Sequence, residues 1–149
     1  MNRYTLQSLA PGVTEQFSVT VTEEMMRRFC EITGDVSPIH IDETFAKQNG
    51  HKGRVVYGML SASLFSTLAG VYLPGETCLL HSVESRFAKP VYIGDTLTIS
   101  GTVQEIHETF GEIVIKAAIT NQNGEKVVRG VIKVGVRPLQ EGTAWIKNS

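Results

Sequence analysis

The helical stretch that opens at Gly58 has almost no polar side. Met59, Leu60, Ala62, Leu64, Phe65, Leu68 and Ala69 are interrupted only by Ser61, Ser63, Ser66 and Thr67, and Gly70 supplies a stop. A helix on a protein surface keeps one face for water, whereas one that is apolar nearly all round has to be enclosed by the rest of the chain. From residue 78 onward the pattern changes to strands. Leu97, Ile99 and Val103 alternate with Thr96, Thr98, Ser100 and Thr102; Ile113, Ile115, Ala117 and Ile119 form a second set, and Val128, Ile132, Val134 and Val136 a third. Gly94-Asp95, Phe110-Gly111 and Asn121-Gln122-Asn123-Gly124 supply the turns. Strands in succession through short turns make an antiparallel meander, not a parallel crossover sheet. The predicted fold class is α+β, a long antiparallel sheet wrapped around one buried central helix. An apolar strand such as Val127 to Val136 at the edge of a small sheet would invite pairing, so a second subunit is expected to complete it.

Ahead of that helix, residues 15–21 read as a lead-in strand. Thr22, followed by Glu23 and Glu24, starts a helix with an apolar stripe of Met25, Met26, Phe29, Cys30 and Ile32, stopped by Gly34. Asp42 caps a second, short helix running to Gly50. With 149 residues the chain is expected to form one domain, with its core over about 15–137 and a peripheral tail over 138–149 that carries Trp145. Fourteen Lys and Arg against 15 Asp and Glu leave a net charge of −1, too little for a bulk field that gathers nucleic acid or an anionic membrane. Cys30 and Cys78 lack the close pairing of a zinc or redox motif and read as thiols of a reducing compartment. No apolar run approaches the ~18 residues of a membrane span, so a cytoplasmic protein is expected. His51, His81 and His107 form no HExxH, His-x-His or Cys/His cluster, so no metal is expected. The absence of a Gly-x-Ser-x-Gly motif disfavours a serine hydrolase.

The chemistry concentrates in Gly34-Asp35-Val36-Ser37-Pro38-Ile39-His40-Ile41-Asp42. Pro38 is expected to keep this segment out of a helix, as a bent loop that folds Asp35 and His40 towards one another. Together they offer an ionised carboxylate and an imidazole able to give or take a proton near neutral pH. The same spacing also suits a plain turn, with Asp35 as a cap and His40 bonded to a loop carbonyl. The second element is Arg54-Val55-Val56-Tyr57-Gly58-Met59-Leu60. Gly58 opens the buried helix, where unbonded N–H groups and the positive dipole end converge, and without a side chain it lets a ligand oxygen approach its amide. A glycine required only for the turn is the other reading.

Taken together, Gly-Asp-x-(Ser/Asn)-Pro-(Ile/Leu)-His-x-Asp followed by Val-x-Gly-Met-Leu resembles the hydratase motif of the MaoC-like family, a hot-dog-fold group that includes the (R)-specific enoyl-CoA hydratases. Leu73-Pro74-Gly75, Phe87-x-Lys89-Pro90-Val91 and Gly94-Asp95 extend the likeness over about residues 15 to 137. The resemblance implies a hot-dog fold, a homodimer or higher oligomer, and reversible hydration of a trans-2-enoyl thioester of CoA or acyl-carrier protein, with no cofactor. Asp35 and His40 would hold and activate water, the Gly58 N–H would polarise the thioester carbonyl, and Ser66 would orient Asp35. Tyr57 stands where the family commonly has histidine; Tyr57, Met59, Arg54 and Lys89 are carried as substrate-binding residues. His51-Lys52-Gly53-Arg54, Arg86 and Lys89 are possible phosphate contacts. A hot-dog acyl-CoA thioesterase and a non-catalytic acyl-thioester-binding protein are the alternatives.

Overall fold

One side chain ends the first strand and begins the first helix. After β1 (Thr14–Thr20), the Thr22 Oγ1 accepts the Met25 N–H at 3.2 Å and opens α1 (Glu23–Thr33), with Glu23 and Glu24 in the first turn. Gly34 closes α1 in the left-handed region at φ 70°, its N–H on the Cys30 carbonyl at 2.8 Å. The computed structural model describes residues 1–140, so Trp145 and the tail from 141 on lie outside the described residues.

The segment after Gly34 departs from expectation. Pro38 does not exclude helix; it starts the single turn α2 (Pro38–Ile41), which carries His40. Proline is tolerated there because the first helical residue has no intrahelical use for its N–H and its fixed φ already suits the turn. Asp42 then caps α3 (Glu43–Gln48), its Oδ1 accepting the Phe45 N–H at 2.9 Å.

The central helix α4 (Gly58–Thr67) runs on without a break into a wider π-type turn, Leu68–Tyr72, and is not stopped at Gly70. Gly70 does not adopt a positive φ, so it makes no left-handed cap. The end comes when the N–H groups of Leu73 and Gly75 turn back onto the carbonyls of Leu68 and Ala69, at 2.8 and 2.9 Å.

Four further strands, β2 (Cys78–Phe87), β3 (Thr96–His107), β4 (Glu112–Thr120) and β5 (Lys126–Val136), join β1 in one antiparallel sheet of order β1-β3-β4-β5-β2. Only β3, β4 and β5 form the predicted meander. The strand expected at the edge, Val127 to Val136, is interior: Ile132 faces Ile115 on one side and Val83 on the other. The long crossing from α4 places β2 beyond β5, so β1 and β2 are the open edges, and Leu79, Leu80, Val83 and Phe87 of β2 are exposed.

Leu97, Ile99, Val103, Ile113, Ile115, Ile119, Val128, Ile132 and Val134 form the buried inner face of the sheet, in one cluster with Phe65 and Leu68 of the central helical segment. Two glycines set how closely the layers approach. A Cβ on Gly101 would lie 2.8 Å from Leu68 Cδ2, and one on Gly130 would lie 2.7 Å from Phe65 Cε2. The enclosure by one chain is incomplete: Met59, Ser63 and Ser66, spaced along one face of α4, stay exposed, Met59 at 66 %. Among the described residues no helix is long and apolar enough to cross a membrane.

Candidate active site

Backbone and side-chain hydrogen bonds clamp α2 against the segment that leads into α4. The Val55 N–H donates to the Ile39 carbonyl at 3.0 Å, and the Arg54 Nε donates to the His40 carbonyl at 2.8 Å. The His40 Nδ1 lies 2.7 Å from the Val55 carbonyl. A carbonyl can only accept, so Nδ1 carries the hydrogen and, in the neutral ring, Nε2 keeps the lone pair. A plain loop bond and a catalytic tautomer are therefore the same contact.

Tyr57 follows. It is 2 % exposed, its ring centroid is 4.1 Å from that of His40 at a 32° tilt, and its hydroxyl donates to the Asp35 carbonyl at 2.7 Å. Burial, with the Cys30 thiol and the Asp35 charge nearby, pushes that hydroxyl up to about 12. The Tyr57 carbonyl receives the N–H groups of Leu60 and Ser61 at 3.0 and 3.2 Å, while the Gly58 N–H, first in α4, has no acceptor among the described residues.

The Asp35 carboxylate accepts the Ser37 N–H at 3.0 Å. Ser37 holds its pKa below the usual carboxylate range, and His40 is near enough for its charge to pull in the same direction. A cavity of about 310 Å³ has His40, Gly58, Ser61, Phe87, Lys89 and Val128 among its walls. A second, of about 290 Å³, lies on the other side of His40, with Cys30, Arg54 and Tyr57 among its walls. His40 is common to both; Asp35 lines neither.

The model of the MaoC like domain matches residues 7–125. The chain belongs to the MaoC-like family. The (R)-specific enoyl-CoA hydratase of Aeromonas caviae is 32 % identical over 124 residues, 83 % of this chain and 92 % of that protein. The 3-hydroxybutyryl-CoA dehydratase of Methylorubrum extorquens is 34 % identical over 100 residues, 67 % of this chain and 64 % of that protein. The solved structure of the (R)-hydratase from A. caviae involved in PHA biosynthesis superposes with a TM-score of 0.84 at 31 % identity, over 87 % of this chain and 98 % of that one. The sheet wrapped around α4 is thus a hot-dog fold.

In this MaoC-like chain His40, Gly58 and Lys89 share one cavity, with Lys89 past the end of β2 and ion-paired to Glu125. Four other predicted residues stand elsewhere. Tyr57 does not line that cavity; it is buried behind His40 and tied to the Asp35 loop. Arg54 spends its guanidinium on Glu23, at 2.7 Å, and on the His40 carbonyl. Ser66 lies on the exposed stripe of α4, and the polar contact made by the Asp35 carboxylate is to Ser37 instead. Met59, also on that stripe, projects away from the core. Phe87, to which the sequence assigns no role, lines the same cavity, its ring 3.1 Å from where a Gly58 Cβ would stand. Among the described residues no three His, Cys, Asp or Glu side chains are grouped to hold a metal ion.

Proposed function

We propose that this member of a hydratase and dehydratase family is a hydro-lyase that reversibly adds water to trans-2-enoyl thioesters of CoA or acyl-carrier protein, giving (R)-3-hydroxyacyl thioesters. The observation that carries the reading is one cavity of about 310 Å³ lined by both His40 and Gly58, whose N–H is unbonded among the described residues. With the thioester carbonyl on the Gly58 N–H, the enoyl C3 is open to water. His40 Nε2 accepts a proton as the water oxygen bonds to C3, and the C2=C3 electrons move onto the thioester oxygen, where the Gly58 N–H stabilises the enolate. Asp35, ionised, steadies the imidazolium by its charge. Return of a proton to C2 completes the addition, and the reverse sequence is dehydration. No metal or redox cofactor enters these steps.

The working unit we propose is a homodimer. The exposed apolar residues of the β2 edge and the Met59–Ser63–Ser66 stripe of α4 are surfaces a second copy would cover. The free thiols Cys30 and Cys78 fit a cytoplasmic setting. Crotonyl-CoA tests the reaction: enoyl-thioester absorbance should fall without release of free thiol, and the product should be the (R)-alcohol. Thiol released at the rate of absorbance loss would make the protein a thioesterase. Tight binding without turnover would make it a carrier.

A further inference from the structure

The residue that departs from the family pattern touches every part of the proposed machinery. The Tyr57 hydroxyl holds the Asp35 carbonyl at 2.7 Å, its ring lies 4.1 Å from His40, and its own carbonyl is fixed by the N–H groups of Leu60 and Ser61. That last pair sets the plane of the Tyr57–Gly58 peptide and with it the direction of the Gly58 N–H. The Phe29 ring, 4.9 Å away, supports Tyr57 from α1, and the Cys30 Sγ reaches the same Asp35 carbonyl at 3.5 Å. Tyr57 is 2 % exposed and does not line the cavity that His40 shares with Gly58.

We propose that Tyr57 is a positioning residue, a buried strut whose side chain holds the Asp35 loop and His40 in one frame for the hydration step. The assignment rests on the proposed function and deepens it. Rate in such a site depends on geometry held to a fraction of an ångström, so loosening the strut should act on the transition state more than on substrate binding. Tyr57→Phe keeps the ring on His40 and removes only the bond to the Asp35 carbonyl. Tyr57→Leu removes both.

With crotonyl-CoA, kcat per folded molecule should fall about tenfold in Tyr57→Phe and about a hundredfold or more in Tyr57→Leu, with KM within about twofold of wild type. The His40 Cε1–H resonance, shifted by the tyrosine ring, should keep its wild-type position in Tyr57→Phe and move in Tyr57→Leu. Tyr57→Phe is nearly isosteric and keeps the test open if Tyr57→Leu fails to fold. A kcat within twofold of wild type in Tyr57→Phe overturns the strut, and so does a loss confined to KM, which would make Tyr57 a binding residue. A wild-type protein that does not hydrate crotonyl-CoA refutes the hydratase reading and removes the assignment with it. A wild type that hydrates beside an equally active Tyr57→Phe refutes the strut alone.

Discussion

Replacing Gly130 by alanine tests how tightly the sheet is drawn onto its helix. The added methyl would lie 2.7 and 2.9 Å from Cε2 and Cζ of Phe65 and 3.2 Å from the Glu84 carbonyl oxygen. Carbon contacts relax near ~3.5 Å, so about 0.8 Å has to be found. Neither neighbour yields readily: the Phe65 ring is fully buried, and the Glu84 carbonyl belongs to the backbone of β2. Overpacking of this kind costs about 1–3 kcal/mol. Gly130 is not in the positive-φ region, so alanine brings no backbone strain and recovers about 0.4–1 kcal/mol through the unfolded chain. At mid-range the net loss should be about 1.3 kcal/mol, a drop in Tm of about 3–5 °C for a chain of this size. Thermal melts of Gly130→Ala, Phe65→Leu and the double variant measure it. Because the smaller side chain makes room for the methyl, the double variant should lose less than the two single losses added together. An unchanged Tm in Gly130→Ala, or strict additivity, would refute the close approach as the constraint.

Asp35→Asn keeps an oxygen for the Ser37 N–H, so circular dichroism should not change, while kcat on crotonyl-CoA falls at least about a hundredfold; a wild-type rate would remove the carboxylate from the mechanism. Stability should also respond to acid. Asp35, Glu43 and Glu125 have native pKa values below their ordinary ones, and Arg27 and Arg28 bring Glu24 down to about 2. Such groups stabilise the native state above their unfolded pKa values and cease to do so as pH falls through the native ones. The urea midpoint should therefore hold down to about pH 5 and decline below it, and a midpoint that rises on acidification would contradict this sign. Val83→Lys places a charge on the exposed β2 edge and should weaken self-association about tenfold or more, read as mass by light scattering; an unaltered dimer would move the interface elsewhere.

Periodicity carried much of the fold because burial acts residue by residue. The alternation in β3, β4 and β5, the caps at Thr22, Gly34 and Asp42, and the start of α4 at Gly58 each answer to a local rule, and each stands where the pattern put it. The place of β2 answers to no local rule. A strand cannot report which neighbour it will have, and the step from α4 to the far side of β5 is a property of the closed sheet. Pro38 misled for a different reason: its effect depends on its position within the turn, and as the first residue of α2 it costs nothing. The exposed face of α4 was equally invisible, since an apolar sequence states the need for cover without stating whether its own chain provides it.

The motif named the candidate groups but not their orientation, and the difference has a physical source. Orientation here comes from backbone atoms, which every residue carries and no pattern of side chains encodes. The Val55 carbonyl fixes the hydrogen on His40 Nδ1, the Ser37 N–H keeps Asp35 ionised, and the start of α4 leaves the Gly58 N–H unbonded. The first is a by-product of how residues 34–42 lie against residues 54–58, the second of the turn at 35–37, and the third of where the helix begins. Tyr57 is a side chain that bears on this backbone arrangement from within, through the Asp35 carbonyl and the His40 ring. A substitution there need not touch the substrate to alter the rate, because it acts on the frame that makes an ordinary carbonyl, amide and imidazole into a site.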